Sequence, residues 1–368
     1  MPEKRQISRR QLLISGAGLA AAAVVGCGDE NDGAGGQTPT ANPSPSRTPG
    51  VITTSPEPTL ASPRWGRLPQ GSITPPARRD HSLVTDGQRL YVFGGRSSDT
   101  LGDFWVYNLT SSQWSEVTAP GPSARFGHNA GYLAIAGRII VFGGQADGFF
   151  NDIWAYTPTS GTWQQAPSTG GPSPRYGAAG VASGEPMIIS HGFTDTGRFD
   201  DTWAYGAGTW GDLSPASGPR PIERCLTRAV FDQVTGTFIL FGGQTDSAPY
   251  LGDTWQLTIG VPPADQAWTE VKSDRKPSPR NLFSMVWDDE RRRALVFGGQ
   301  TEDGRTNDVW IFDALSKTWA ELPTQGEAPS ARSGHDAVWL LGRRAMLVFG
   351  GQDAEGDQND LWELAFHG

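Results

Sequence analysis

Six arginines recur along the chain at intervals of about fifty residues, usually behind a proline. A ring of guanidinium groups could hold a carboxylate or another anion through charge-assisted hydrogen bonds. The alternative is structural, because each arginine is followed in its unit by an aspartate that stands two residues before a tryptophan. The arginines are Arg78, Arg125, Arg175, Arg224, Arg280 and Arg332, and the aspartates are Asp103, Asp152, Asp201, Asp253, Asp308 and Asp360.

Several aromatic side chains in the second to fourth units do not follow this repeat. Aromatic faces beside polar groups suit sugars or peptide side chains. The alternative is that these rings pack beneath surface loops. The residues are Phe126, Phe149, Phe150, Tyr176, Phe199 and Tyr250.

One histidine also breaks the pattern. At a steady offset from the preceding unit, His191 aligns with Phe142, and Phe193 aligns with the second residue of Gly143-Gly144. Ala178 stands where neighbouring units carry histidine. An imidazole at an apolar position is a candidate functional group, because its charge changes near neutral pH. The alternative is that His191 takes over a hydrogen-bonding role from another strand.

Oxygen-bearing side chains alternate in the last long loop, at Asp353, Glu355, Asp357 and Asn359. Such a set could bind a hard cation such as Ca²⁺. The glycine in this loop does not stand where an EF-hand loop requires it, and an ordinary solvated acidic loop is the alternative. We therefore predict no metal site and no cofactor.

The elements that position these residues are repeated units. Gly-Gly occurs in five of them, with a degenerate copy at 190–193, and each unit predicts four strands, a to d, with strand b ending at Gly-Gly. Apolar residues alternate, as at Leu90 and Val92, which predicts half-buried strands. Units of this length with Gly-Gly and spaced tryptophans resemble kelch repeats. The resemblance covers residues 64–368 and implies an all-β, six-bladed propeller of four-stranded antiparallel blades.

The two ends of the repeat are complementary. The last unit stops after the strand that contains Trp362, whereas the first predicted strand, at Trp65, has no blade before it. We expect the N-terminal strand to complete the C-terminal blade, because this closure leaves no free sheet edge.

The b–c loops and the d–a links lie on one face of such a meander. The b–c loops are long, polar and variable, and the arginine motifs belong to the same face. Function concentrates where variable loops converge on a rigid scaffold. We expect a protein or glycan partner to bind this face.

Residues 1–27 have the features of an export signal. Ser8 to Leu13 resembles a twin-arginine motif, and Val24 to Cys27 resembles a lipobox in which Cys27 is acylated. Residues 28–63 are rich in Gly, Pro, Ser and Thr, which predicts a disordered tether. We expect a protein anchored by lipid outside the cytoplasmic membrane, in the cell envelope; the alternative is an uncleaved signal anchor. A net charge of −9 argues against nucleic-acid binding.

The kelch resemblance also implies two possible enzyme classes. Galactose-oxidase-like copper enzymes share the propeller, but Cys225 is matched by Asn281 in the next unit, and His81, His128 and His335 occupy one repeat position, which indicates scaffold. Some exported kelch propellers resemble sialic-acid epimerases, so a sugar-active enzyme of the epimerase or mutarotase type is the rival to a binding protein. Fold alone does not decide between them.

Overall fold

The computed structural model describes residues 62–366, except 169, 183–185 and 260–265. The predicted signal, residues 1–27, lies outside the described residues, and so does the predicted linker up to residue 61. Within the described ranges, the chain forms β-strands and a single 3-10 turn at Leu341–Arg343. These ranges contain no helix with the length and apolar character needed to cross a membrane.

The strands form six four-stranded antiparallel sheets, which we call blades 1 to 6. The first strand is β1 (Arg64–Arg67). Blade 1 contains β2 (Ser82–Thr85), β3 (Arg89–Phe93), β4 (Phe104–Asn108) and β5 (Gln113–Glu116). Blade 2 contains β6 (Asn129–Leu133), β7 (Arg138–Phe142), β8 (Ile153–Thr157) and β9 (Thr162–Ala166). Blade 3 contains β10 (Ala179–Ala182), β11 (Met187–Ser190), β14 (Thr202–Gly206) and β15 (Thr209–Asp212), with a small hairpin of β12 (Phe193–Thr194) and β13 (Gly197–Arg198) in its b–c loop.

The remaining blades follow the same plan. Blade 4 contains β16 (Arg228–Asp232), β17 (Thr237–Phe241), β18 (Thr254–Thr258) and β19 (Ala267–Val271). Blade 5 contains β20 (Ser284–Asp288), β21 (Arg293–Thr301), β22 (Gly304–Asp313) and β23 (Thr318–Glu321). Blade 6 contains β24 (Asp336–Leu340), β25 (Ala345–Phe349), β26 (Leu361–Ala365) and β1.

The ring closes through the N-terminal strand. β1 pairs antiparallel with β26, so that Trp65 lies opposite Leu364 and Arg67 lies opposite Trp362. This confirms the predicted six-bladed, all-β propeller and its closure. The innermost strands of neighbouring blades contact one another around a central axis.

The b strands are buried on both faces. In β7, Ile139 and Val141 pack against blade 1, whereas Ile140 and Phe142 pack against blade 3. The expectation of half-buried strands is therefore wrong for these elements. The reason is that each sheet lies between two others, so the alternating side chains enter two different apolar cores, as in sheets covered on both faces.

The tryptophans of the d strands join neighbouring blades. In five of the six junctions, the ring packs against the phenylalanine that precedes Gly-Gly in the preceding blade, with centroids 4.9–5.7 Å apart. Such aromatic contacts add to the burial of apolar area. The five pairs are Trp65–Phe297, Trp114–Phe349, Trp163–Phe93, Trp210–Phe142 and Trp319–Phe241.

Candidate functional site

The six motif arginines are buried inside their blades, with side chains no more than 1% exposed. Each forms an ion pair of 2.6–2.8 Å with the predicted aspartate of its own blade. The other N–H groups bind backbone: Nη1 donates to the carbonyl of the first Gly-Gly position, and Nε donates to the carbonyl two residues before the arginine. The six arginines therefore support the structural alternative, because their N–H groups already donate to the aspartates and to backbone carbonyls of their own blades.

The aspartates are held equally firmly. The indole Nε1 of the tryptophan two residues later donates to each carboxylate at 2.6–2.8 Å. Burial opposes their ionisation, but the arginine hydrogen bonds and charge outweigh it, so the pKa of each carboxyl is lowered. Each Arg–Asp–Trp set fixes the start of strand c beneath the b–c loop.

The arginine motifs lie beside the b–c loops of the neighbouring blades. The backbone N–H of the motif arginine donates to the b–c loop of the preceding blade, as from Arg125 to the Leu101 carbonyl at 3.0 Å and from Arg332 to the Thr306 carbonyl at 3.1 Å. The b–c loops and the arginine motifs therefore meet on one face, which we call the loop face.

His191 lies one position later than the sequence alignment placed it. Ser190 pairs with Ala179 and Thr202, just as Phe142 pairs with Asn129 and Ile153. His191 therefore occupies the first glycine position, and it has the left-handed φ of 63° found at the glycines there. The alignment was wrong because the b–c loop of blade 3 is one residue longer than that of blade 2.

The His191 ring has a packing role. It lies edge-on to Trp268 at 6.0 Å, where the other junctions have a phenylalanine, and its Nδ1 is 2.7 Å from Ser190 Oγ. Burial, followed by the charge of Arg224, lowers the pKa of His191 to about 3. A ring that stays neutral inside a blade junction supports the scaffold alternative. Phe193 follows at the position of Gln145, so it does not replace a glycine.

A belt of backbone hydrogen bonds surrounds the axis beneath the loop face. The second residue after each motif arginine has a φ between 52° and 67°, and its N–H donates to the carbonyl of the same position in the preceding blade at 2.7–2.9 Å. Five of the six junctions have this bond; from blade 4 to blade 5, Arg228 Nε instead reaches the Phe283 carbonyl at 3.1 Å. The belt positions are Asp80, Gly127, Gly177, Leu226, Leu282 and Gly334.

Above this belt lies a cluster of partly exposed aromatic and arginine side chains, which we call the aromatic patch. Phe126 packs edge-on against Tyr176 with centroids 5.6 Å apart, and Arg96 of blade 1 covers Phe126 at 4.6 Å. Phe149 packs against Phe193 at 5.8 Å, and Arg198 covers Phe193 at 5.3 Å. Tyr176 and Phe193 are joined by backbone pairing. The patch consists of Arg96, Phe126, Phe149, Tyr176, Phe193 and Arg198.

Each of the two arginines of the patch is held by an ion pair with an aspartate. Arg96 Nε contacts Asp80 at 2.7 Å, and Arg198 forms an ion pair with Asp246 of blade 4. Burial raises the pKa of Tyr176, so its phenol stays neutral and can donate a hydrogen bond. Sequence reasoning found three members of the patch and missed Arg96, Phe193 and Arg198. The available signal was the residue after Gly-Gly, which is glutamine in four blades but Arg96 or Phe193 in the other two.

The other predicted aromatics lie elsewhere. Phe150 lies under the Arg125 guanidinium, and Phe199 lies under Arg175, each with its ring 4.1 Å away. These two rings cover the buried ion pairs, which supports the packing alternative for them. Tyr250 is partly exposed in the b–c loop of blade 4.

Exposed carboxylates lie in the b–c loops of all six blades. Every blade contributes at least one carboxylate, and all of these residues are exposed. We call this set the acidic crown. It consists of Asp99, Asp147, Asp195, Asp246, Glu302, Asp303 and Glu355.

The acidic side chains of the last loop point to separate partners. Asp353 accepts hydrogen bonds from Ser330 Oγ and from the Glu355 N–H, and Asp357 pairs with Arg79 at 2.6 Å. Asn359 donates to the Pro75 carbonyl at 3.1 Å. Within the described ranges, the structure has no group of three His, Cys, Asp or Glu side chains that could hold a metal ion. Cys225 is a buried free thiol whose pKa burial raises.

Comparison with known proteins gives the same architecture. The family profile described as the KLHDC2/KLHL20/DRC7 Kelch-repeats domain matches residues 58–214 and 207–367. The chain is 33% identical over 133 residues to dynein regulatory complex subunit 7 of Chlamydomonas reinhardtii, covering 35% of this chain and 11% of that protein. It is 32% identical over 152 residues to host cell factor of Drosophila melanogaster, covering 38% of this chain and 10% of that protein.

A third relative is the dynein alpha chain of the flagellar outer arm of Chlamydomonas reinhardtii, 33% identical over 133 residues, or 35% of this chain and 3% of that protein. The matched region is thus a small part of each of these relatives. The chain belongs to the kelch-repeat family of six-bladed propellers.

Proposed function

We propose that this chain is an exported, lipid-anchored kelch propeller whose loop face binds a protein partner. The observation that carries the proposal is the aromatic patch. Propellers of this family typically bind proteins, and the patch gives the loop face a surface suited to that purpose.

The patch has the composition of an energetically dominant protein contact. Tyrosine, tryptophan and arginine dominate binding energy at protein interfaces, especially where they lie at the centre of a contact. Phe126 and Tyr176 lie directly above the belt, close to the axis, and their edge-on packing holds them in place. Because Arg96 and Arg198 are already fixed by Asp80 and Asp246, ordering the patch on binding costs little side-chain entropy.

The acidic crown defines the chemistry of the partner. Its seven carboxylates lie in the b–c loops, whereas Phe126 and Tyr176 each directly precede a belt residue, Gly127 and Gly177. An apolar centre with an acidic rim complements a partner segment that has an apolar or aromatic anchor flanked by lysine or arginine. Charges at the rim increase the association rate and lose their effect at high ionic strength.

The cellular location is supported by the sequence alone. The twin-arginine-like segment ending at Leu13 and the lipobox-like segment ending at Cys27 support export and acylation. Cys27→Ala should release the protein from the membrane fraction and abolish incorporation of labelled fatty acid. Retention of both after this change would contradict the anchor.

The experiment for the loop face is a selection of displayed random peptides against the full-length chain. Selected peptides should be enriched in lysine or arginine around apolar residues, and added salt should weaken them. Phe126→Ala should reduce their affinity at least tenfold, as expected for the loss of a central aromatic contact. Val234→Ala, which removes an exposed apolar side chain from the opposite face, serves as the matched control. Peptides that bind the two variants equally well would refute the proposal.

A glycan array run with the same proteins separates the rival classes. If glycans bind in a way that depends on Phe126 and peptides do not bind, the partner of the loop face is a sugar and not a protein. Turnover of a bound sugar by the purified chain would favour the epimerase or mutarotase alternative.

A further inference from the structure

The innermost strands enclose a cavity of about 490 Å³ on the propeller axis. Its lining runs from the a–b turns, where Gly87, Ala134 and Gly342 lie at the mouth, to the first residues of the innermost strands. Among the described residues that line it, none belongs to a b–c loop, and the backbone belt lies beyond its inner end. The cavity therefore opens on the face opposite the aromatic patch, and its volume lies within the range of small-molecule sites.

The walls of the cavity combine polar surface with aromatic and aliphatic side chains. Tyr132, Trp287 and Trp339 line it from three different blades, and each is partly exposed. Alanine, valine and glycine residues of the innermost strands fill the spaces between them. Aromatic surfaces on different sides of one cavity can hold a flat apolar group.

The inner end of the cavity contains Arg228, the first residue of β16. The same position in the other blades is occupied by Ser82, Asn129, Ala179, Ser284 and Asp336, so a cation here is peculiar to blade 4. Its guanidinium is not paired like the motif arginines. Among the described residues its one hydrogen bond is from Nε to the Phe283 carbonyl, and no carboxylate there lies within ion-pairing distance. Both Nη groups thus remain for a ligand.

Arg228 lines the axial cavity together with residues of every other blade, and its charge acts on histidines of two of those blades. Burial is the main cause of the lowered pKa of His128 and His335, and the Arg228 charge adds to it in both. His128 belongs to blade 2 and His335 to blade 6, so the charge of one guanidinium in blade 4 reaches two blades that are not its neighbours.

Asp336 is the carboxyl that shares the cavity with Arg228. Its Oδ2 accepts the Leu83 N–H at 2.8 Å and its Oδ1 accepts the Ala337 N–H at 3.0 Å, so it holds blade 1 against blade 6. Burial raises its pKa, against the effects of Arg228 and of these two bonds. The other acidic group of the lining, Asp289, is exposed at the mouth. Neither is paired with Arg228.

We propose that the axial cavity binds a small organic carboxylate, with the carboxylate on the Nη groups of Arg228 and an aromatic or apolar body against Trp287 and Trp339. A guanidinium binds carboxylates through two parallel hydrogen bonds, and such bonds strengthen away from bulk water. The site is separate from the loop face, so both could be occupied together.

The test is calorimetric titration of the full-length chain with benzoate, phenylacetate and indole-3-propionate, each beside its neutral amide. At least one acid should bind, and at least tenfold more tightly than its amide. Arg228→Gln should reduce that affinity at least tenfold. Arg138→Gln, which removes an exposed arginine at the start of β7, should change nothing.

Three results would overturn the proposal: no acid binds, acid and amide bind equally, or Arg228→Gln binds like the unmodified chain. If Arg228→Gln does not fold, the comparison of acid and amide on the unmodified chain still decides. Phe126→Ala should bind the acid normally, which keeps this test independent of the loop-face proposal.

Discussion

Arg332 and Asp360 are joined by two parallel hydrogen bonds of 2.6 and 3.0 Å, and both side chains are withdrawn from solvent. The Trp362 indole donates to the same carboxylate at 2.7 Å. The pair is thus a cross-brace between the arginine motif and strand c of one blade. Repeated in every blade, it explains why the arginines and aspartates occur in equal number.

Breaking this pair should be costly, because removing one partner leaves the other charge buried. Asp360→Asn should lower the free energy of unfolding by about 3 kcal/mol. Glu321→Gln, in the exposed Arg275–Glu321 pair, is the matched control and should cost less than about 1 kcal/mol. Urea unfolding monitored by tryptophan fluorescence measures both. Similar losses for the two variants would contradict a structural role for the buried pair.

The closing strand should matter to the whole ring. Trp65 is 3% exposed and lies 5.0 Å from Phe297 of blade 5. Trp65→Ala should therefore lower stability by about 3–5 kcal/mol, and deletion of residues 63–70 should lower the melting temperature of the entire propeller. Arg64→Ala, at an exposed neighbouring position, is the control. An unchanged melting temperature after the deletion would rule out closure by this strand.

Two histidines at one repeat position should respond differently to the same substitution. Within the described residues neither ring nitrogen of His81 has a hydrogen-bond partner, whereas His335 Nε2 lies 3.0 Å from Ser284 Oγ. Blade 5 already has Phe283 at this position. His81→Phe should leave stability unchanged or raise it, and His335→Phe should lower it by about 1 kcal/mol. Equal effects in urea unfolding would show that the Ser284 contact contributes nothing.

The buried histidines also predict a pH dependence. Burial lowers the pKa of His128 and His335 to about 3, below the ordinary value of 6.5. Between these values the unfolded chain binds more protons, so stability is complete above pH 6.5 and falls as the pH decreases, by up to about 1.4 kcal/mol per pH unit for each histidine. His335→Phe should make the fall between pH 6.5 and 4.5 shallower. A parallel pH profile for variant and parent would disprove this assignment.

Blade 3 can be tested by restoring the repeat. His191→Gly removes the ring that packs on Trp268 but relieves a left-handed conformation, so we expect a net loss of about 2 kcal/mol. Adding Ser190→Phe recreates the Phe-Gly-Gly of the other blades and should recover most of the lost stability. Ser190→Phe alone, which crowds the junction, should be destabilising. Additive effects in this double-mutant cycle would mean that the two positions do not share one space.

The fold could be predicted from sequence because its determinants repeat. Arg125, Gly143-Gly144, Asp152 and Trp163 each have counterparts at intervals of about fifty residues, so the count of blades did not depend on any one residue. The register of blade 3 could not be predicted, because a single extra loop residue before Asp201 shifts the alignment. Only the pairing of Ser190 with Thr202 reveals it.

The candidate site was less accessible to such reasoning. Phe126 and Tyr176 stood out because they break the repeat. Arg96 of blade 1 and Phe193 of blade 3 reach their partners in blade 2, Phe126 and Phe149, only when neighbouring blades pack together. Phe150 looked similar to Phe149 in sequence. Its ring turns inward onto Arg125, however, because alternate residues of the loop point to opposite sides.

The pairing of β1 with β26 has a consequence for how the chain folds. Arg64 and Ala365 are neighbours in blade 6 although they lie about three hundred positions apart in sequence. Contacts of this separation form slowly, because the entropy of closing the loop is lost before the contact is made. A growing chain on the ribosome can form early blades but has no partner for β1 until its last strand emerges. The propeller should therefore lock as one cooperative unit only after β26 has been synthesised, with β1 exposed as an unpaired strand until then.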